Sequence, residues 1–416
     1  MKIADGVYVH FIPTQKYKTN RIVFRMTGSL NKQTIAKRAL VSQMLATANQ
    51  TYPTVQSFKE RLAFLYGTQL STRVSTKGLT HSVDIELTYL KDTFIPTNDG
   101  LFWEVLGFLK ECLYKPLSRV AQYQNKVFDI EKQNLITYLD VDTENNYYYS
   151  EVKGRELYFV NEGLKVPKYG QAELVEAETS FTAYQEFQSM LTRDRIDIFM
   201  VGEFDDYQVL QALHRFPLEG RQVDLQFSYS QPYVNVVKEK IEPRQSSQSI
   251  LQLGYQFPCQ YGDKDYFALI VFNAMFGEFA HSALFTTLRE KEGLAYSISS
   301  QFDIFTGLLE VYAGIEKSNR DQAMRGISRE LNYIKLGRFS SSLLNQTKKI
   351  IRMNALLSED HALTLVEQRF NKVIFGDKSL SLENWLDEIE KVTKKDVCRV
   401  ARQVKLQSLF FLEGVS

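Results

Sequence analysis

Arg289 and Tyr296 stand seven residues apart, across the predicted end of a helix and into a strand. That spacing can bring a guanidinium and a phenol to one surface. Both groups donate hydrogen bonds suited to a peptide carbonyl, or to the oxyanion formed when water attacks it. The same residue types also fit a helix-end cation beside a half-buried strand aromatic, so the spacing leaves both readings open. Other chemistries lack a local signature. His10, His81, His214, His281 and His361 never fall within four residues of one another, whereas a helical zinc site needs two imidazoles at i and i+4 to reach one ion. Cys112, Cys259 and Cys398 are far apart and form no CxxC, so they read as reduced structural thiols. There is no GxSxG elbow and no GxxxxGK or GxGxxG phosphate cradle, which removes most support for hydrolase, kinase and dinucleotide readings. Asp140, Asp142, Glu144 and Glu151 match positions 1, 3, 5 and 12 of a calcium loop, but Asn145 stands where a glycine makes the sharp turn. A solvated acidic turn is the expectation there, with Tyr147, Tyr148 and Tyr149 packing as helix residues.

The elements that must position these residues recur along the chain. Its 416 residues are enough for two cores of ordinary size. Residues 21 to 26 read as a strand, a helix follows to about Asn49, and a second helix starts at Thr54. Two alternating runs then meet at Lys77-Gly78, a hairpin signal. Helical patterns cover roughly 97 to 162 and 173 to 193, and IDIFMVGEF (196 to 204) closes the half as a strand. From Ser247 the order repeats: a strand, two helices, a hairpin across Thr306-Gly307, and SLFFLEG as the last strand. A repeat of about 200 residues predicts two similar lobes. The first spans 1–220 and the second 247–416, with a linker at 221–246 where two prolines break a stretch of little periodicity. Lys plus Arg (50) balances Asp plus Glu (49), so no net field draws the chain to nucleic acid or an anionic membrane. The basic stretches 347–353 and 392–400 read as solvated helix faces. The start has no apolar signal segment and nothing approaches the length of a membrane span, so the expected location is cytoplasmic.

The stretch FNAMFGEFAHSALFTTLREKEGLAYSISS (272 to 300) resembles the second-lobe signature of the insulinase or pitrilysin metallopeptidases, the inverzincins, in which an Arg ends a helix and Gly-Leu-Ala-Tyr enters a strand. MTGSL (26 to 30), DIEKQNLITYL (129 to 139) and the VGEF ending of the first lobe agree in order, so the resemblance covers the whole chain. It implies an α/β (α+β) fold of two similar lobes, each a mostly antiparallel mixed sheet packed against helices. Two such two-lobed units close around a peptide in that family. The resemblance places the family's HxxEH helix on Ala39, Leu40, Val41, Ser42 and Gln43, so both histidines and the glutamate are absent. Glu131 takes the place of the third ligand, and one carboxylate neither holds zinc nor activates water. Arg289 and Tyr296 match the pair with which family members contact the substrate carbonyl. The resemblance therefore implies a non-catalytic subunit with no metal of its own, closing a peptide chamber opposite a zinc-bearing homologue in a heterodimer. Its ligand would be a peptide, engaged partly as an added strand. A structural or peptide-binding homologue without proteolysis, and a hydrolase with an unrecognised site, are the rival expectations.

Overall fold

The computed structural model describes residues 1–95 and 100–415, which form two compact units. Unit 1 comprises Met1–Val141, Val166–Gln226 and Asp360–Phe370; unit 2 comprises Asp142–Lys165, Phe227–Glu359 and Asn371–Ser416. Each unit thus takes in a segment from the opposite half of the chain.

Unit 1 contains β1 (Lys2–Ala4), β2 (Val7–Pro13), β3 (Thr19–Ser29), β4 (Gln69–Lys77), β5 (Thr80–Leu90), the short hairpin β6 (Ser118–Arg119) and β7 (Gln122–Tyr123), and β8 (Arg195–Gly202). Six of these strands form a sheet of order β1-β2-β8-β3-β5-β4, antiparallel except for the β2/β8 pair. Alternation decides which face is the core. Ile22, Phe24 and Met26 of β3 and Val83, Ile85 and Leu87 of β5 turn one way, against α1 (Lys32–Leu45), α2 (Val55–Phe64) and α3 (Leu101–Tyr114). α1 begins where the Asn31 side chain accepts from Gln33 N, and α2 where Thr54 and Ser57 form a capping box. The helical reading of 97 to 162 starts in residues outside the described ones and is interrupted by β6 and β7, whose turn places Val120 and Ala121 at positive φ. The acidic stretch 140–151 is helix rather than loop. It spans the end of α4 (Asn125–Glu144) and the start of α5 (Asn146–Tyr158), with Asn145 capping α5 by accepting from Tyr147 N and Tyr148 N.

The polar face of the unit 1 sheet is also buried. Arg25 is 1% and Asp84 0% exposed, and the guanidinium makes two 2.8 Å bonds to the carboxylate. Arg73 adds a third at 2.8 Å. Residues 360–370 lie over this face: Glu367 accepts from Arg25 at 2.5 Å and from Lys77 at 3.2 Å, and the Phe370 ring stands 4.6 Å from the Arg25 guanidinium carbon.

Unit 2 contains β9 (Lys238–Gln245), β10 (Ser249–Gln256), β11 (Ala295–Asp303), β12 (Leu308–Ile315) and β13 (Lys405–Val415) in the order β11-β12-β10-β13-β9. β9 occupies the last third of the expected linker and pairs parallel with β13. Strand for strand, this order repeats β4-β5-β3-β8-β2, including one parallel pair at the same place. Leu251, Leu253, Val311 and Phe411 face the core with the helix Tyr266–Asn273. Ile250, Phe410 and Leu412 face the other way, where Tyr147, Tyr149 and Leu157 of α5 cover them. No helix among the described residues is long and apolar enough to cross a membrane.

Candidate functional site

The five positions aligned with the zinc-binding motif make up one turn of α1 that is buried nearly all round. Ala39 is 0% and Ser42 3% exposed, Leu40 and Val41 are in the core, and Gln43 is half-buried. Glu131, on α4, accepts a long 3.4 Å bond from the Asn134 amide. A methyl group, a hydroxyl and a carboxamide do not supply the imidazoles that zinc requires. Among the described residues no three His, Cys, Asp or Glu side chains gather closely enough to hold a metal ion. These residues do not fit the zinc of a peptidase.

The same helix carries the centre of an ion cluster with no local sequence signal. Arg38, 4% exposed, donates to both Asp194 oxygens at 2.7 Å, to Glu186 at 2.8 Å and to the His81 carbonyl at 2.8 Å. His81 is held neutral, its pKa pushed down to about 3 by burial and by the Arg38 charge. The partners of Arg38 are 43 to 156 residues away, so only the folded chain reveals them.

Arg289 and Tyr296 lie on adjoining elements of unit 2. The chain from Phe285 to Lys291 winds as a π-helix around the fully buried Leu288, a rare geometry that concentrates at functional sites. It ends through Glu292 N to Thr287 O at 2.9 Å and Leu294 N to Leu288 O at 2.8 Å, with Gly293 in the left-handed region at φ +61°. A glycine there lets the chain turn into β11 without strain. The register of β11 on β12 then slips: Ala295 pairs with Ile315, but Ser297 pairs with Gly314. The residue between them is Tyr296. A bulge re-aims its side chain, which is 59% exposed and donates its hydroxyl to Glu316 at 2.9 Å. That bond, which favours the neutral phenol, raises the Tyr296 pKa. Arg289 is also exposed, with its guanidinium carbon 4.7 Å from the centre of the Phe285 ring. Both side chains are thus exposed on unit 2, with the Tyr296 hydroxyl engaged by Glu316.

The comparisons with known proteins bear on the family to which the chain belongs. Residues 184–351 match the family model of the peptidase M16 inactive domain. A Bacillus subtilis protein described as a probable inactive metalloprotease, YmfF, is 30% identical over 98% of this chain and 96% of its own length. A conserved protein from Enterococcus faecalis has a crystal structure that superposes with a TM-score of 0.97 at 35% identity, covering 100% of this chain and 98% of the other. A peptidase M16 inactive domain from Pseudomonas fluorescens shares the fold alone, with a TM-score of 0.78 at 15% identity over 99% and 97% of the two chains. The chain therefore belongs to the insulinase/pitrilysin (M16) peptidase family, as an inactive metalloprotease homologue.

Proposed function

We propose that this chain is the non-catalytic subunit of a heterodimeric zinc metallopeptidase. It closes the peptide chamber and directs Arg289 and Tyr296 at the substrate carbonyl opposite the zinc of a partner subunit. The observation that carries the reading is an asymmetry: α1 has lost every metal donor, while the Arg/Tyr pair remains on the surface, aimed outward by a π-helix and a bulge. A carbonyl polarised by zinc gains negative charge as water attacks, and donors positioned beforehand contribute most at that moment. One observation favours the rival, a peptide-binding wall without a catalytic role: the Tyr296 hydroxyl is already committed to Glu316 and must turn away to reach a substrate.

The test is to co-purify the chain with a zinc-bearing homologue and measure peptide hydrolysis by the pair. Tyr296→Phe keeps the ring and removes one donor. It should lower kcat by roughly 10²- to 10³-fold while assembly and zinc content stay unchanged. Full activity of Tyr296→Phe and of Arg289→Ala in an assembled pair would leave the chain as a wall only.

A further inference from the structure

The outer face of the unit 2 sheet holds a polar cleft that the Arg/Tyr pair does not use. α5 covers the β10 and β13 side of that face and leaves beside it a cleft of about 390 Å³, lined by Tyr147, Glu151, Gln252, Ser297, Gln301 and Tyr312. Tyr147 is fixed by bonds to Ser297 at 2.6 Å and Gln248 at 3.3 Å, and its ring meets Tyr312 edge-on with centroids 5.5 Å apart. The Gln252 and Gln301 amides both donate inward to Glu310, which is 5% exposed. An amide that donates its N–H to a carboxylate keeps its carbonyl oxygen as an acceptor. The cleft is thus rich in acceptors, backed by a buried carboxylate.

That carboxylate is loosely held. Its contacts to Gln252 and Gln301 are 3.4 Å and to Arg155 3.5 Å, at the outer limit of hydrogen bonding. The corresponding strand of unit 1 supplies a comparison, since Asp84 of β5 takes three bonds of 2.8 Å from Arg25 and Arg73. Unit 1 thus binds its carboxylate tightly with two arginines, whereas the arginine of unit 2, Arg155, stands 3.5 Å from Glu310. Around Glu310 stand Glu151 and Asp303, against the cation Arg155, so these groups together carry an excess of negative charge.

We propose that this cleft is a subsite for the guanidinium of an arginine on a bound peptide. Glu151 and the two amide oxygens would accept its donors, the Tyr312 ring would form a flat wall, and Glu310 would act as the buried countercharge. An arginine suits it better than a lysine, because several separated acceptors beside an aromatic face match a planar five-donor fork. The proposal rests on the peptide-binding reading above, since the arginine comes from that peptide.

Acetyl-arginine amide and acetyl-citrulline amide differ in charge and hardly in shape, and ligand-observed NMR can titrate each into the full chain without a partner. The arginine probe should bind at least tenfold tighter. Glu310→Gln and Glu151→Gln should each weaken it about 10- to 100-fold, and the second, at the rim, leaves the fold intact if the first does not. Burial pushes the Glu310 carboxyl up to about 7; the groups facing it are Glu151 and Arg155 from α5, Asp303 from β11 and Tyr312 on its own strand. Affinity should therefore rise about tenfold from pH 6 to pH 8 as that carboxyl ionises. Equal binding of the two amides, absence of saturable arginine binding, or full affinity in folded Glu151→Gln overturns the proposal. An active heterodimer that ignores the arginine/citrulline change sinks the subsite alone; arginine binding by a chain that never joins a peptidase sinks the subunit reading alone.

Discussion

Ala39 stands at the first of the five positions that the resemblance places on the HxxEH helix. Its methyl group is completely enclosed in the core of unit 1, so a larger side chain there must displace its neighbours. Restoring the motif with Ala39→His, Ser42→Glu and Gln43→His should consequently lower stability by about 1–3 kcal/mol for the overpacked imidazole alone. Bound zinc should stay well below one per chain, checked by urea melts and metal analysis of the variant. One tightly held zinc in the triple variant would mean that the third ligand and the helix still form a working site. At this scale the sequence was legible where the family is written in a local phrase. Arg289, Gly293 and Tyr296 sit within eight residues, and their types and order carry the resemblance without any knowledge of contacts. Arg38, Arg25 and Glu310 were not legible, because each draws its meaning from partners that no periodicity connects: Arg25 and Glu367 are 342 residues apart.

Among the elements, β5 is the instructive case. Its alternation of Val83, Ile85 and Leu87 with Ser82, Asp84 and Glu86 reads as one buried and one wet face, yet the strand is buried on both. The polar face is sealed because each charge is paired, and the seal comes from residues 360–370. Removing one member of such a buried set leaves its partners uncompensated. Arg25→Met should therefore lower the free energy of unfolding by about 3–5 kcal/mol, seen as a lower urea midpoint; a change under 1 kcal/mol would show that Arg73 and Lys77 suffice. The cluster also sets a pH dependence. Despite burial, the Arg25 and Lys77 charges hold the Glu367 carboxyl down to about 2, below its unfolded value of about 4.3. A depressed carboxylate stabilises above its unfolded pKa and loses that contribution as the pH falls. The melting temperature of the wild type should accordingly drop between about pH 4.5 and pH 2, and the part of that drop due to this group should vanish in Glu367→Gln. The bulge at Tyr296 and the π-helix before it also escaped sequence reading, which found a helix and a strand there but not the single extra residue that turns the phenol outward.

On the scale of the whole molecule, the repeat was visible in the sequence as two similar orders of elements, and the matching strand orders of the two sheets express it in space. The reciprocal exchange of residues 142–165 and 360–370 was not visible, because a helix on the polar side of a sheet leaves no mark in the strands' own alternation. Either half made alone lacks a piece of its unit. Residues 1–246 and 247–416 expressed separately should be insoluble or protease-sensitive, whereas co-expression should yield a soluble pair; a cooperative melt from 1–246 alone would contradict this. The exchange also governs the order of events during synthesis. Unit 1 has most of its chain once residue 226 has been made, but Glu367 and Phe370 emerge only some 144 residues later, about 7–30 s at ordinary elongation rates. For that interval Arg25 and Asp84 wait under an open face on the nascent chain, and the ribosome, rather than the order of the lobes, decides when the first lobe can finish folding. A chaperone client is the natural description of such an intermediate, and a premature stop between residues 226 and 360 leaves it permanently in that state.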